Sequence, residues 1–90
     1  MHMDRLIFEL KASVEATSLY ILMCAFLDQG EAPTLELAKS RWNGDERSLA
    51  TAAAELMDLG VIERAAPVPM DLPLNLMPSS LWHWPTPETL

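Results

Sequence analysis

A chain of 90 residues has room for one domain with a single small core, which excludes a large multidomain enzyme. Half of the residues are hydrophobic and 21% are charged, a mixture too apolar for an intrinsically disordered chain. Because 13 acidic residues outnumber 6 basic ones, the formal net charge is -7, and the molecule as a whole repels polyanions.

Location and domain limits follow from a few simple features. The one cysteine, Cys24, excludes an intramolecular disulfide and a cysteine-rich zinc site, which indicates a reducing cytoplasm. The longest apolar run, 19–27, has about half the length that spans a bilayer, so we expect neither membrane insertion nor secretion. We expect one domain over 4–84 and a flexible C-terminal end over 85–90, while 1–2 are compatible with a cloning remnant.

Two helices are predicted before residue 30. Asp4 is a suitable N-cap for a first helix, with a short strand over 6–10 as the alternative. The apolar residues of this first helix share one stripe: Leu6, Ile7, Leu10 and Val14. Thr17 or Ser18 can cap a second helix over 19–29, unless the first helix continues into it.

The second helix is apolar on almost every face, and Gly30 is expected to end it in a left-handed conformation. A segment that is apolar all round but too short to span a membrane must be surrounded by protein. Two coverings remain open, the first helix or a second subunit, because so small a domain has few elements with which to enclose a helix.

A short helix and a longer helix are predicted next, separated by a turn at 43–44. Thr34 caps the short helix, which runs from 35 to about 42, and Asp45 caps the longer one over 46–59. The longer helix has one apolar stripe: Leu49, Ala52, Ala53, Leu56 and Leu59. These two helices are therefore expected to pack through one face each.

The chain after the longer helix predicts a strand and a proline-rich tail. Gly60 takes the left-handed position that ends the helix, and a contact between Val61 and Leu56 completes a Schellman motif. Residues 61–64 then predict a strand whose best pairing partner is 81–84. Six of the seven prolines follow this first strand, so regular pairing cannot extend through the segment between the two strands.

The segment 34–64, TLELAKSRWNGDERSLATAAAELMDLGVIER, resembles the helix-turn-helix and first wing strand of the winged helix-turn-helix superfamily. Its most specific part is the ending ELMDLGVIER. With 18–29 in place of that fold's first helix, the resemblance covers about two thirds of the chain. It implies a mainly α fold with a small β-hairpin (α+β), in which a winged helix-turn-helix carries an extra N-terminal helix and a proline-rich C-terminal wing or tail.

The resemblance also implies a nucleic-acid interface as the alternative function. In DNA-binding members the longer helix enters the major groove, and its outward face here offers only Arg47 for a bidentate base contact and Thr51 for a weaker bond. Lys39 and Arg41 are placed to reach phosphates beside them. The alternative is thus a small sequence-specific DNA-binding transcriptional regulator, although no Lys or Arg follows Arg64.

The preferred function is contact with another protein. The proline-rich segment carries many Leu, Met and Trp side chains, and prolines hold such a segment extended at low entropic cost. Either these side chains fold back and complete the protein's own core, or several of them face a partner. The candidate interface residues are Tyr20, Met70, Leu72, Leu74, Met77, Trp82 and Trp84.

Enzyme chemistry is not expected. Cys24 lies in the most apolar segment, where a thiol is usually an inert packing group, and His83 is more typical of a solvated or hydrogen-bonded residue than of a ligand. No catalytic residue, metal site, cofactor or small-molecule substrate is predicted. The sequence favours a non-enzymatic winged-helix protein-interaction module that acts as a homodimer, an adaptor or an inhibitor of a larger protein. An acidic mimic of nucleic acid is the weaker third hypothesis.

Overall fold

The computed structural model describes residues 4–63 and 73–84. This part of the chain contains three α-helices and two short 3₁₀ turns, and its buried residues form one cluster in which the first and third helices pack against each other. The elements in chain order are a 3₁₀ turn at Arg5–Phe8, α1 at Val14–Asp28, α2 at Leu35–Ser40, α3 at Glu46–Asp58 and a second 3₁₀ turn at Ser79–Leu81.

The predicted first helix is wrong, because a single 3₁₀ turn stands in its place. Asp4 does cap this turn, since its Oδ1 accepts a hydrogen bond of 2.9 Å from the backbone N–H of Leu6. Lys11 then has a φ of 59°, a left-handed conformation that no α-helix passes through. Val14 is thereby separated from Leu6, and the two do not share a helical stripe. Residues 6–10 do not form a strand either.

Helix α1 begins five residues earlier than the predicted start at residue 19. Its N-cap is Ser13, whose Oγ accepts a hydrogen bond of 3.1 Å from the backbone N–H of Ala16. Gly30, with a φ of 77°, ends the helix as predicted. The backbone N–H of Glu31 reaches back 2.8 Å to the carbonyl oxygen of Phe26, which is the longer hydrogen bond of a Schellman motif.

Helices α2 and α3 confirm the predicted caps. Thr34 Oγ1 accepts from the N–H of Leu37 at 3.1 Å, and Asp45 Oδ1 accepts from the N–H of Ser48 at 2.8 Å. Helix α2 is two residues shorter than predicted and α3 ends at Asp58. The buried face of α3 matches the predicted stripe except that Met57 takes the place of the half-buried Leu59: Leu49, Ala52, Ala53, Leu56 and Met57.

The end of α3 forms the predicted Schellman motif. Gly60 has a φ of 76°, and the N–H of Val61 donates to the carbonyl oxygen of Leu56 at 2.9 Å. Val61 and Leu56 are both fully buried. The chain therefore leaves α3 in the direction that the sequence predicts.

The predicted wing is wrong: over 4–63 and 73–84 the chain forms no β-strand, only an isolated antiparallel bridge between Ile62 and Leu76. Residues 81–84 do not pair with 61–63, and residue 64 lies outside the described residues. Pro73 and Pro78 flank the bridge, and each lacks the N–H that a longer ladder needs. The fold is accordingly a small helical globule, and the α+β winged helix-turn-helix expectation fails at its β part.

The C-terminal segment instead packs on the end of α3. The backbone N–H of His83 donates to the carbonyl oxygen of Leu59 at 2.6 Å, and its ring Nδ1 donates to that of Asp58 at 2.8 Å. These two carbonyl groups belong to the last turn of the helix, where no intrahelical donor remains. Leu74 and Trp82 are buried in the same core as α1 and α3. Among the described residues, no helix combines the length and the apolar character that crossing a membrane requires.

Candidate functional site

Three of the predicted interface residues are covered by their own chain. Tyr20 is buried and its hydroxyl accepts a hydrogen bond of 3.0 Å from the backbone N–H of Asp4. Trp82 packs edge-on against the Tyr20 ring, with 5.6 Å between ring centroids, and donates its indole N–H to the carbonyl oxygen of Met77 at 2.8 Å. Leu74 is also buried. The polar atoms of both aromatic rings are thus satisfied within one chain.

The other predicted interface residues are placed differently. Trp84 is 38% exposed, although its indole N–H donates to the carbonyl oxygen of Ser79 at 3.0 Å and its ring lies 5.7 Å from that of Trp82. Met77 is half-buried against the core. Met70 and Leu72 lie outside the described residues. The proline-rich segment therefore contributes both core and surface.

Burial also shifts the pKa values of the two buried titratable groups of α1, Tyr20 and Cys24. It raises the pKa of Tyr20 to about 12 and raises the pKa of the Cys24 thiol above its ordinary value. Both groups therefore keep their protons at neutral pH. A protonated, buried thiol is a poor nucleophile, which matches the packing role expected of Cys24.

Two of the predicted nucleic-acid residues are already engaged with neighbours on the protein. Lys39 forms an ion pair with Glu46, with 2.7 Å between Nζ and Oε1. The guanidinium of Arg41 lies over the ring of Phe26, 5.7 Å from its centroid. Lys39 is therefore locally neutralised, and Arg41 lies against Phe26 of α1.

Arg47 and Thr51, the other two, line one cleft of about 380 Å³ on α3. Three carboxylates share this cleft: Glu15, Asp45 and Glu55. The structure thus brings Arg47 and Thr51 together in one cleft, whose lining includes neither Lys39 nor Arg41. Carboxylates in the cleft repel phosphate, which weakens the case for a nucleic-acid interface.

Glu55 serves another role, because it holds the start of α1. The backbone N–H and the Oγ of Ser13 donate to the two carboxylate oxygens of Glu55, each at 2.7 Å. Such paired hydrogen bonds to a charged acceptor are stronger than neutral ones. They fix the first turn of α1 against α3 and so determine which side of α1 faces outward.

The outward side of α1 carries an uncovered apolar stripe, which we call the α1 outer face. Its most exposed apolar residues are Val14, which is 79% exposed, and Ile21, which is 39% exposed, with Ser18 between them. No charged residue occurs between Glu15 and Asp28. The α1 outer face consists of Val14, Thr17, Ser18, Ile21, Leu22 and Ala25.

A groove of about 650 Å³ continues the α1 outer face toward the turn between α2 and α3. Leu22 lines the groove on α1, and Trp42 lines it from the turn. Three charged residues also line it: Glu15, Arg41 and Asp45. The Trp42 ring is held in place because its indole N–H donates to Ser48 Oγ at 2.9 Å, and this hydroxyl donates in turn to the carbonyl oxygen of Asp45 at 2.9 Å. The groove therefore has one rigid aromatic wall.

The apolar character of α1 indicates that its outer side needs a cover, but it does not indicate which residues lie there. The sequence feature that locates them is the N-cap Ser13, followed two residues later by Glu15, an acid in the first turn. With α1 begun at Val14, helical spacing places Val14, Ser18 and Ile21 on one line opposite the buried residues.

Comparison with metal sites and with known proteins adds no assignment. In the part of the chain that the structure describes, no group of three or more His, Cys, Asp or Glu side chains is arranged to hold a metal ion. The chain matches no protein-family model, no curated protein and no solved structure.

Proposed function

We propose that this protein is a non-enzymatic module that binds another protein through the α1 outer face. The observation that carries the proposal is that α1 is apolar on almost every face and that, among the described residues, the chain covers it on one side only. Val14 and Ile21 remain in contact with solvent. The helix itself has no charged residue between Glu15 and Asp28.

The composition of this face is typical of the centre of a protein interface. Such centres are depleted of charged residues, and they gain from burying apolar side chains. Burying a fully exposed Val or Ile side chain contributes roughly 1.5 to 3 kcal/mol, and Val14, 79% exposed, and Ile21, 39% exposed, each offer part of this. Apolar surface on the α1 outer face is therefore still available for binding. The groove beside Trp42 enlarges this surface.

The two groups best suited to catalysis support a non-enzymatic role. The Cys24 thiol is buried and protonated, and the His83 ring donates to a helix carbonyl group rather than facing a second titratable residue across a pocket. The proposal places the protein in the cytoplasm, because its one thiol is free and buried.

Affinity capture from the source cell tests this proposal. Immobilised wild-type protein is compared with Ile21→Lys, which places a charge in the α1 outer face, and with Ala54→Lys on the exposed side of α3. Both variants add the same charge, so general electrostatic effects are matched. We expect a protein captured by the wild type and by Ala54→Lys to be lost with Ile21→Lys. Equal capture by all three proteins would show that the α1 outer face is not the binding surface.

A further inference from the structure

We infer that the partner on the α1 outer face is a second copy of this chain, packed antiparallel with Ser18 of each copy near a two-fold axis. This inference rests on the proposed function and names the partner for the same surface. It is carried by the spacing of the exposed residues, by the distribution of charge and by the size of the surface.

The spacing of the exposed residues makes the face self-complementary. Val14 and Ile21 lie four residues before and three residues after Ser18, on nearly the same line of the helix. In a two-fold contact, each residue meets its counterpart across the axis in both directions. Val14 then faces Ile21 of the second copy on either side of the axis, while the small Ser18 lets the two backbones approach.

The charge distribution favours a neutral partner surface at this place. With a net charge of -7, two copies repel each other over most of their surface. The residues of the α1 outer face carry no charge, because Glu15 and Asp28 lie at its two ends. In the adjoining groove, the cation Arg41 accompanies the carboxylates of Glu15 and Asp45. A basic partner would find no carboxylate within the face. The same apolar face of a second copy matches it, and antiparallel packing also aligns the helix dipoles favourably.

The size of the surface predicts a concentration-dependent dimer. Helix α1 has 15 residues and is therefore about 22 Å long. A standard interface buries about 800 Å² on each partner, more than the stripe of one such helix supplies. The contact must therefore extend into the groove between Leu22 and Trp42, and it falls among the smaller, weaker interfaces.

Sedimentation equilibrium over a wide concentration range tests the inference. We expect wild-type protein to pass from monomer to dimer, and Ile21→Lys to weaken the dimer by more than about tenfold because it buries an unpaired charge. Val14→Lys should do the same, and its very exposed position leaves the core intact. The charge-matched control Ala54→Lys should dimerise like the wild type.

Salt gives an independent readout of the same equilibrium. The α1 outer face is uncharged, and the groove beside it holds two carboxylates, Glu15 and Asp45, but one cation, Arg41. Added salt should therefore strengthen the dimer by screening repulsion. An interface built on ion pairs would weaken instead. A dimer that weakens with salt would therefore contradict the proposed contact.

The position of the axis is tested by a disulfide. Ser18→Cys should form a cross-linked dimer under mild oxidation faster than Ala50→Cys on the exposed side of α3, since a bridge requires the two Cα atoms to lie within about 7 Å. Equal rates for the two variants would contradict the contact at Ser18. The buried Cys24 does not compete.

The possible failures are distinguishable. A wild-type protein that stays monomeric at the highest concentration overturns the second copy as partner. If Ile21→Lys still abolishes capture from the cell, the proposed function stands with a different protein as partner. If the monomer also protects the thiol of Ser18→Cys from labelling, a segment of the same chain covers the face, and both proposals are wrong.

Discussion

Gly60 and Gly30 share a left-handed backbone, with φ values of 76° and 77°, but they differ in what surrounds them. A Cβ atom at Gly60 would lie 3.0 Å from the carbonyl oxygen of Leu81 and 3.2 Å from Cδ2 of His83, whereas nothing lies within 4 Å of one at Gly30. A substitution at Gly30 therefore measures backbone strain alone, and the same substitution at Gly60 measures strain together with the packing of the C-terminal segment.

Gly30→Ala should lower the free energy of unfolding by about 1 kcal/mol, the cost of a left-handed alanine. Gly60→Ala should cost more, because the methyl group also displaces Leu81 and His83, and Gly60→Val should cost more again through its branched side chain. Urea unfolding of the three variants measures these differences. Equal losses for Gly30→Ala and Gly60→Ala would show that the C-terminal segment does not pack on the end of α3.

Because the pKa of Tyr20 is raised in the folded protein, we expect the free energy of unfolding to fall in alkaline solution. Burial raises its pKa in the folded protein from 10.0 to about 12, so between these values the unfolded chain releases its proton before the folded one does. The contribution of Tyr20 to stability is therefore complete below pH 10 and is lost as the pH rises toward 12. In Tyr20→Phe, the free energy of unfolding, measured by urea unfolding, should fall less between pH 10 and 12 than in the wild type. An equal fall in the two proteins would contradict burial of the hydroxyl.

At the scale of elements, the packing of α1 on α3 depends on the contact between Ser13 and Glu55. Both carboxylate oxygens of Glu55 accept hydrogen bonds from Ser13, so this contact fixes the rotation of α1 and with it the direction of the α1 outer face. Glu46 is the natural comparison, because its ion pair with Lys39 lies in solvent at the other end of α3.

Glu55→Ala should lower the free energy of unfolding by about 2 kcal/mol, since it removes two hydrogen bonds to a charged acceptor. Glu46→Ala should cost about 0.5 kcal/mol, because an exposed ion pair contributes little. Thermal and urea unfolding check both values. A loss for Glu55→Ala no larger than that for Glu46→Ala would mean that the two helices are held by apolar packing alone.

The elements that could be predicted are those with local signals. Thr34, Asp45, Gly30 and Gly60 each mark a helix end through their own backbone or side chain, and all four predictions are confirmed. Ser13 carries the same kind of signal, but the apolar spacing of Leu6, Ile7, Leu10 and Val14 competed with it. The left-handed Lys11, which decides the matter, has no signal in the sequence.

The elements that were mispredicted depend on distant contacts. The strand at 61–64 required a partner far along the chain, and prolines on both sides of Leu76 restrict the pairing to one bridge. The candidate interface residues were mispredicted for the same reason, because their burial also depends on distant contacts. Tyr20 and Trp82 carry the composition of interface residues, but each covers the other across 62 positions of sequence, and only the three-dimensional structure shows this. The α1 outer face became visible once the start of α1 was known.

At the scale of the whole molecule, the net charge of -7 is spread over a surface whose one extended uncharged helix face lies on α1 within the described residues. Such a surface repels nonspecific polyanions. Within the described residues, α1 is half covered, and the proposed partner supplies the missing cover.

We expect no sub-micromolar binding of DNA at about 0.15 M salt. The physical reason is that Lys39 is paired with Glu46 and that Arg47 shares its cleft with three carboxylates. A fluorescence-anisotropy selection on random duplexes measures this. Tight binding that Lys39→Ala combined with Arg47→Ala abolishes would favour the DNA-binding alternative over protein contact.

Thiol labelling of Val14→Cys at low micromolar concentration measures whether the α1 outer face is open in the folded chain. Cys24 in the same molecule is the buried reference. We expect the thiol at position 14 to react nearly as fast as in the urea-unfolded chain, because Val14 is 79% exposed, and Cys24 to react only after unfolding. A native protein in which position 14 is protected as strongly as Cys24 would show that the α1 outer face is covered and would refute the proposed binding surface.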